Sequence, residues 1–142
     1  MKKAVLLILT LILVSCGATS SKKSETNSLY EVLTQQTNGG ASIRFFEILT
    51  EENEIAMLQN DEMLKEKIKP NDIQTSNFVI LNMGEKTSGG YKIGIESAVE
   101  TEKNIIISVK ETAPESGSMV TQEISTPYCV VKINSKKEIL IK

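Results

Sequence analysis

"GEKTSGGYKIGI", Gly84–Ile95, follows the apolar run "SNFVILNM" and opens a second run that alternates. Two glycines adjoin at Gly89 and Gly90, and Tyr91 comes next. A phosphate-binding loop needs a helix after its glycines, with a Lys-Ser/Thr pair at the helix start. Here the glycines lead into Tyr91, Ile93 and Ile95 on one face and Lys92, Gly94 and Glu96 on the other, which is the period of a half-buried strand. The stretch is therefore read as a turn between two antiparallel strands, with the glycines supplying positive φ.

The same rhythm extends toward the C-terminus. After a polar turn at Thr101–Asn104, "NIIISVKET" puts Ile105, Ile107 and Val109 on one face. "APESGSMVTQEIST" is a long loop, and "PYCVVKI" and "EILIK" close the chain around the turn "NSKK". Toward the N-terminus, "SLYEVLTQQ" and "ASIRFFEIL" flank "TNGG". Asn38-Gly39 is a hairpin signal, so these two runs are expected to pair antiparallel. One segment differs. In "TEENEIAMLQNDEMLKEKIKP", Thr50 can cap a helix whose first turn holds Glu51, Glu52 and Glu54. Ile55, Met57, Leu58 and Leu64 supply an apolar stripe, and Pro70 lies just past the end. One helix over Glu51–Lys67 is expected. The sum is a mainly β domain over residues 29–142, antiparallel, sandwich-like or barrel-like, with about seven strands and one helix.

Residues 1–15 read as a lipoprotein signal peptide. Lys2 and Lys3 precede a short apolar run, Ala4–Val14, well under the roughly 20 residues of a membrane span. Leu13, Val14, Ser15 and Cys16 fit the bacterial lipobox, which makes Cys16 the expected lipidated N-terminus. Each buried methylene of an acyl chain contributes about 0.8 kcal/mol, so several chains hold a protein firmly on a bilayer. Residues 16–28, small, polar and charged, are expected to form a flexible tether. The expected place is the bacterial cell envelope, with the outer membrane favoured.

Charge and residue usage narrow the chemistry. Taking Lys2 and Lys3 from the 16 basic residues leaves 14 against 18 acidic ones, a mature net charge of about −4. That disfavours nucleic acid as a partner. The chain has no histidine, so Ser-His and Cys-His nucleophile pairs are absent and the commonest zinc ligand is missing. Lipidation of Cys16 leaves Cys129 without a disulfide partner. Cys129 shares a strand face with Val131 and Ile133 and reads as a small buried hydrophobe. The carboxylates are scattered over turns and polar faces. No catalytic residue, metal or cofactor is expected.

The opening stretch then gains a context. "MGEKTSGGYKIGIES" resembles the signature of the C-terminal domain of PrcB, a protease-complex subunit family, which has a strand, a "G-x-x-x-x-G-G-Y" turn and an alternating strand. Pro114, Val120, Thr121, Gln122, Pro127 and Tyr128 follow in the order of that family's later segment. The resemblance covers about residues 77–133. It implies a non-catalytic lipoprotein that binds a secreted or surface protease and supports its assembly or stability. "T-S-G-G-Y" is also similar to a loop of chagasin-like cysteine-protease inhibitors, which implies direct blockade of a cleft. Glu85-Lys86 stands where those inhibitors have Asn-Pro, and Thr126-Pro127-Tyr128 lacks their arginine. A structural envelope lipoprotein with no protease link is the third alternative. The candidate partner-binding residues are Lys86, Thr87, Ser88, Gly89, Gly90, Tyr91, Thr121, Gln122 and Tyr128. Tyr91 shares the face of Ile93 and Ile95, which points to the core, so Lys86, Thr87 and Ser88 are the first contacts to consider.

Overall fold

The computed structural model describes residues 28–142; the expected signal peptide, Cys16 and the expected tether up to residue 27 lie outside the described residues. The elements run β1 (Tyr30–Gln36), β2 (Phe45–Leu49), α1 (Glu52–Leu58), α2 (Asp72–Thr75), β3 (Asn77–Asn82), β4 (Lys92–Glu100), β5 (Asn104–Thr112), β6 (Tyr128–Ile133) and β7 (Glu138–Ile141). β3, "NFVILN", and β6, "YCVVKI", are mostly apolar and buried on both faces, and they take the centre of the larger sheet. Strands covered on both sides need such unbroken runs. The order of that sheet is β1-β6-β3-β2, antiparallel throughout. β4, β5 and β7 form a second sheet, in which β4 pairs β5 antiparallel and β5 pairs β7 parallel.

The result is a sandwich-like domain with a helical cover, in three layers. Val79 and Leu81 of β3 and Cys129, Val131 and Ile133 of β6 point at the second sheet, where they meet Ile93, Ile105, Ile107 and Ile139. The opposite face of the larger sheet offers Phe78 and Val130 to Leu33, Leu49, Ile55, Leu64 and Ile68. Phe78 is fully buried, and its truncation to alanine costs about 3–5 kcal/mol by the usual scale of core deletions. The barrel does not close. β1 and β4 approach, but the Gln35 side-chain amide bridges them, donating to the Ile93 carbonyl at 2.7 Å. β4 carries a bulge between Ile95 and Ser97. The extra residue shifts the alternation, so Ala98 packs on the core while Val99 is exposed.

Three expectations are corrected. β1 and β2 do not pair as a hairpin; they are the two opposite edges of one sheet. No non-glycine residue among those described has positive φ, so Asn38-Gly39 does not make the turn that would fold one strand onto the other. Similarly, Gly84–Gly90 joins no pair of neighbours. β3 lies in the first sheet and β4 in the second, so the segment crosses between layers.

The long helix is the third. α1 ends at Leu58, turns and bends continue to Ile68, and α2 adds four residues. At about 100° per residue, a continuous helix would put Leu64 and Ile68 roughly opposite Ile55 and turn Glu62 and Glu66 inward. Breaking after Leu58 lets Ile55, Leu64 and Ile68 all reach one core. Asp61 restarts the chain by accepting the Met63 backbone N–H at 2.8 Å. The cap of α1 is Glu51, one residue after the expected Thr50, and the Glu54 carboxylate accepts the N–H groups of Thr50 and Glu51 at 3.3 Å each.

Candidate functional site

The two segments singled out in the sequence, 84–91 and 113–128, lie side by side. Lys86 and Ser125 form a two-bond backbone bridge, Lys86 N–H to Ser125 O at 2.8 Å and Ser125 N–H to Lys86 O at 2.9 Å. The Gly89 N–H donates to Thr121 O at 3.0 Å. The Ser125 hydroxyl, itself buried, donates to Ser88 O at 2.6 Å. Each segment thus supplies the backbone partners that the other lacks, as buried polar groups require.

The paired glycines are explained by this contact. A Cβ on Gly89 would sit 2.4 Å from Thr121 Oγ1, and one on Gly90 would sit 2.8 Å from Pro114 Cβ and 3.0 Å from Val120 Cγ1. Gly90 also has φ +88°. The glycines therefore serve close approach first, and a left-handed backbone at one of the two.

The seam continues into the crossover from β1 to β2, residues 37–44. Gly40 N–H donates to Thr126 O at 3.0 Å, Thr126 N–H to Thr37 O at 3.2 Å, and Gly39 N–H to the Thr126 hydroxyl at 3.1 Å. Asn82, at the end of β3, pins this crossover from below. Its Oδ1 accepts Ala41 N–H at 2.9 Å, and its Nδ2 donates to Ala41 O at 2.9 Å and Ile43 O at 2.6 Å. The segment Ser125–Tyr128 is thus held between both connections.

The candidate residues divide accordingly. Thr87, Gly90, Thr121 and Gln122 are exposed. Ser88 and Gly89 are half-buried in the seam. Tyr91 is half-buried against the inter-sheet core, with the Lys86 ammonium 5.6 Å from its ring centroid. Tyr128 packs on the other face of the sheet, beside the helical cover, with its hydroxyl donating to Met63 Sδ at 3.8 Å. Sequence reasoning missed Met119 and Ile124, which stand out from the same loop at 102% and 63% exposure. The available signal was two large apolar residues in a segment with no strand period. It also missed Asn82, whose three bonds organise the crossover.

Among the described residues no group of metal-ligating side chains is clustered, and no helix is long and apolar enough to cross a membrane. Cys129 is buried, and desolvation pushes its thiol up to about 11. A thiol so placed is not a nucleophile at neutral pH.

No curated protein and no solved structure matches the chain. Residues 77–134 match the family model described as PrcB C-terminal. That span runs from the first residue of β3 to just past β6 and takes in both halves of the seam. The part of this chain from residue 77 to residue 134 is a PrcB C-terminal-like region.

Proposed function

We propose that this chain is a non-catalytic lipoprotein of the bacterial cell envelope, anchored through Cys16, that binds a protein partner through the seam surface. The partner is a secreted or surface protease whose assembly or stability the lipoprotein supports. The PrcB C-terminal match supports the protease link. One structural observation carries the binding role: Met119 and Ile124 are exposed on a loop whose base is fastened by the Lys86–Ser125 bridge. Burying two such side chains contributes roughly 1.5–3 kcal/mol each. Thr87, Thr121 and Gln122 stand beside them as hydrogen-bonding groups. Recognition groups on a scaffold-held loop lose little entropy on binding.

The test is affinity capture of the tagged, lipidated protein from gently solubilised envelope, in parallel with Met119→Ser/Ile124→Ser. Capture of a protease by the native chain and its loss with the variant supports the reading. Equal capture by both removes the seam from it. Lowered activity of that protease at stoichiometric amounts of lipoprotein indicates the chagasin-like alternative instead. The anchor is tested separately: Cys16→Ala should abolish labelling by radioactive palmitate and release the domain from the membrane fraction.

A further inference from the structure

Sheet edges offer unpaired backbone groups, and among the described residues three of the four edges are blunted. β1 is bulged between Val32 and Thr34, β4 is bulged at Glu96 and bridged by Gln35, and β7 is four residues long. β2 is different. Its register with β3 is unbroken from Phe45↔Asn82 to Leu49↔Phe78. Among the described residues no backbone hydrogen bond reaches its outer side.

A groove runs beside this edge, on the face covered by α1. It is about 340 Å³ and is lined by Glu47, Leu49, Glu54, Met57, Leu58 and Ile80. That volume falls at the lower end of the range of ligand sites. Its floor is apolar, and Met57 is a 72% exposed, adaptable lip. Both charged lining residues are acidic. Glu54 is engaged at the start of α1, whereas Glu47 makes no ion pair among the described residues. The adjacent cation, Arg44, is committed to Glu111 at 2.7 Å.

We propose that the free edge of β2 and this groove receive an extended peptide segment of a partner protein, with an apolar side chain against Leu49, Leu58 and Ile80 and a lysine or arginine facing Glu47. Strand addition obtains affinity from main-chain bonds and specificity from alternate side chains. A second copy of this chain is disfavoured by charge. Glu47 is the central residue of β2, so symmetric pairing of two β2 edges sets carboxylate against carboxylate, and like charges directly opposite are destabilising. This site uses residues separate from the seam, so either can fail alone.

The probe is a blocked, fluorescent seven-residue peptide with a leucine and a lysine two positions apart and threonine elsewhere, titrated against the full chain in detergent. Saturable binding is expected. Glu47→Lys should weaken it about tenfold, the scale of exchanging a favourable cross-strand charge pair for a repulsive one. Glutamate in place of the peptide lysine should weaken it similarly and be restored by Glu47→Lys. Of two peptides N-methylated on alternate residues, one should lose binding and the other keep it. Circular dichroism confirms that the exposed Glu47→Lys change leaves the fold intact. The proposal is overturned by no binding at millimolar peptide, by affinity indifferent to both charge changes, or by a β2-edged dimer in ultracentrifugation that excludes the peptide.

Discussion

The two glycine-rich connections, residues 37–44 and residues 84–91, look alike in sequence and are built differently. Each has a polar residue and two adjacent glycines, as in "TNGG" and "TSGG". Neither closes a hairpin. The first crosses the end of β6 and β3 within one sheet and is organised by a buried side chain, the Asn82 amide with its three bonds. The second crosses between sheets and is organised by backbone, the bridge to Ser125 and the bond to Thr121. A side-chain pin concentrates three bonds on one residue, beside the backbone bonds of Thr37 and Gly40 to Thr126. A backbone zipper spreads the load and frees the outward side chains to vary. The second connection is therefore the one suited to present a surface.

That contrast can be broken by substitution. The largest effect is expected at Asn82. Asn82→Ala leaves Ala41 N–H, Ala41 O and Ile43 O without their partner. Each lost partner costs about 1–3 kcal/mol, so a loss of about 4 kcal/mol is expected from urea unfolding. In the second connection, Gly90→Ala meets both a left-handed φ of +88° and the Pro114 ring. It should cost about 2–3 kcal/mol, since strain and overpacking add.

Next comes a prediction that sharpens the comparison. Gly89→Ala collides only with the Thr121 hydroxyl, and Thr121 is exposed and can turn away. The expected cost is about 1 kcal/mol or less, and Thr121→Ala should relieve it in a double-mutant cycle. Gly117, at the loop tip, has φ +81° but nothing near its missing Cβ. Gly117→Ala should cost about 1 kcal/mol from backbone strain alone.

A pH effect comes from the core shared by both connections. Below pH 9.0 the Cys129 thiol is protonated whether folded or unfolded. Between pH 9.0 and about 11 the unfolded chain releases that proton while the folded chain keeps it, because burial raises the folded value. Stability therefore falls as pH rises through this window, by up to ~3 kcal/mol. Denaturant unfolding at pH 8 and pH 10 should show a smaller drop for Cys129→Ala than for the native chain.

Much of the fold was legible. The runs of β3 and β6, the alternation of β4 before its bulge, and the turn at Thr101–Asn104 all follow from local pattern. Strand pairing was not legible around Asn38-Gly39, because what decides it lies far along the chain, at Asn82 and Thr126. The break in the helix could be read by angle, since Leu64 falls opposite Ile55 on any continuous helix. The order of Gly89, Gly90, Pro114, Val120 and Thr121 was visible in the sequence. Its physical meaning, two segments fitted into each other, needed the third dimension.

The central claim is that these two segments form one fastened unit from which Met119 and Ile124 project. Native-state amide hydrogen exchange reads it directly at Lys86, Gly89 and Ser125, the three N–H groups that bond one segment to the other. The account predicts protection of all three that rises and falls together and drops sharply in Gly90→Ala, while Gly117 and Met119 at the loop tip exchange quickly. Exchange of the three at the rate of the loop tip would contradict it, because the loop would then be unfastened and the glycines ordinary turn residues.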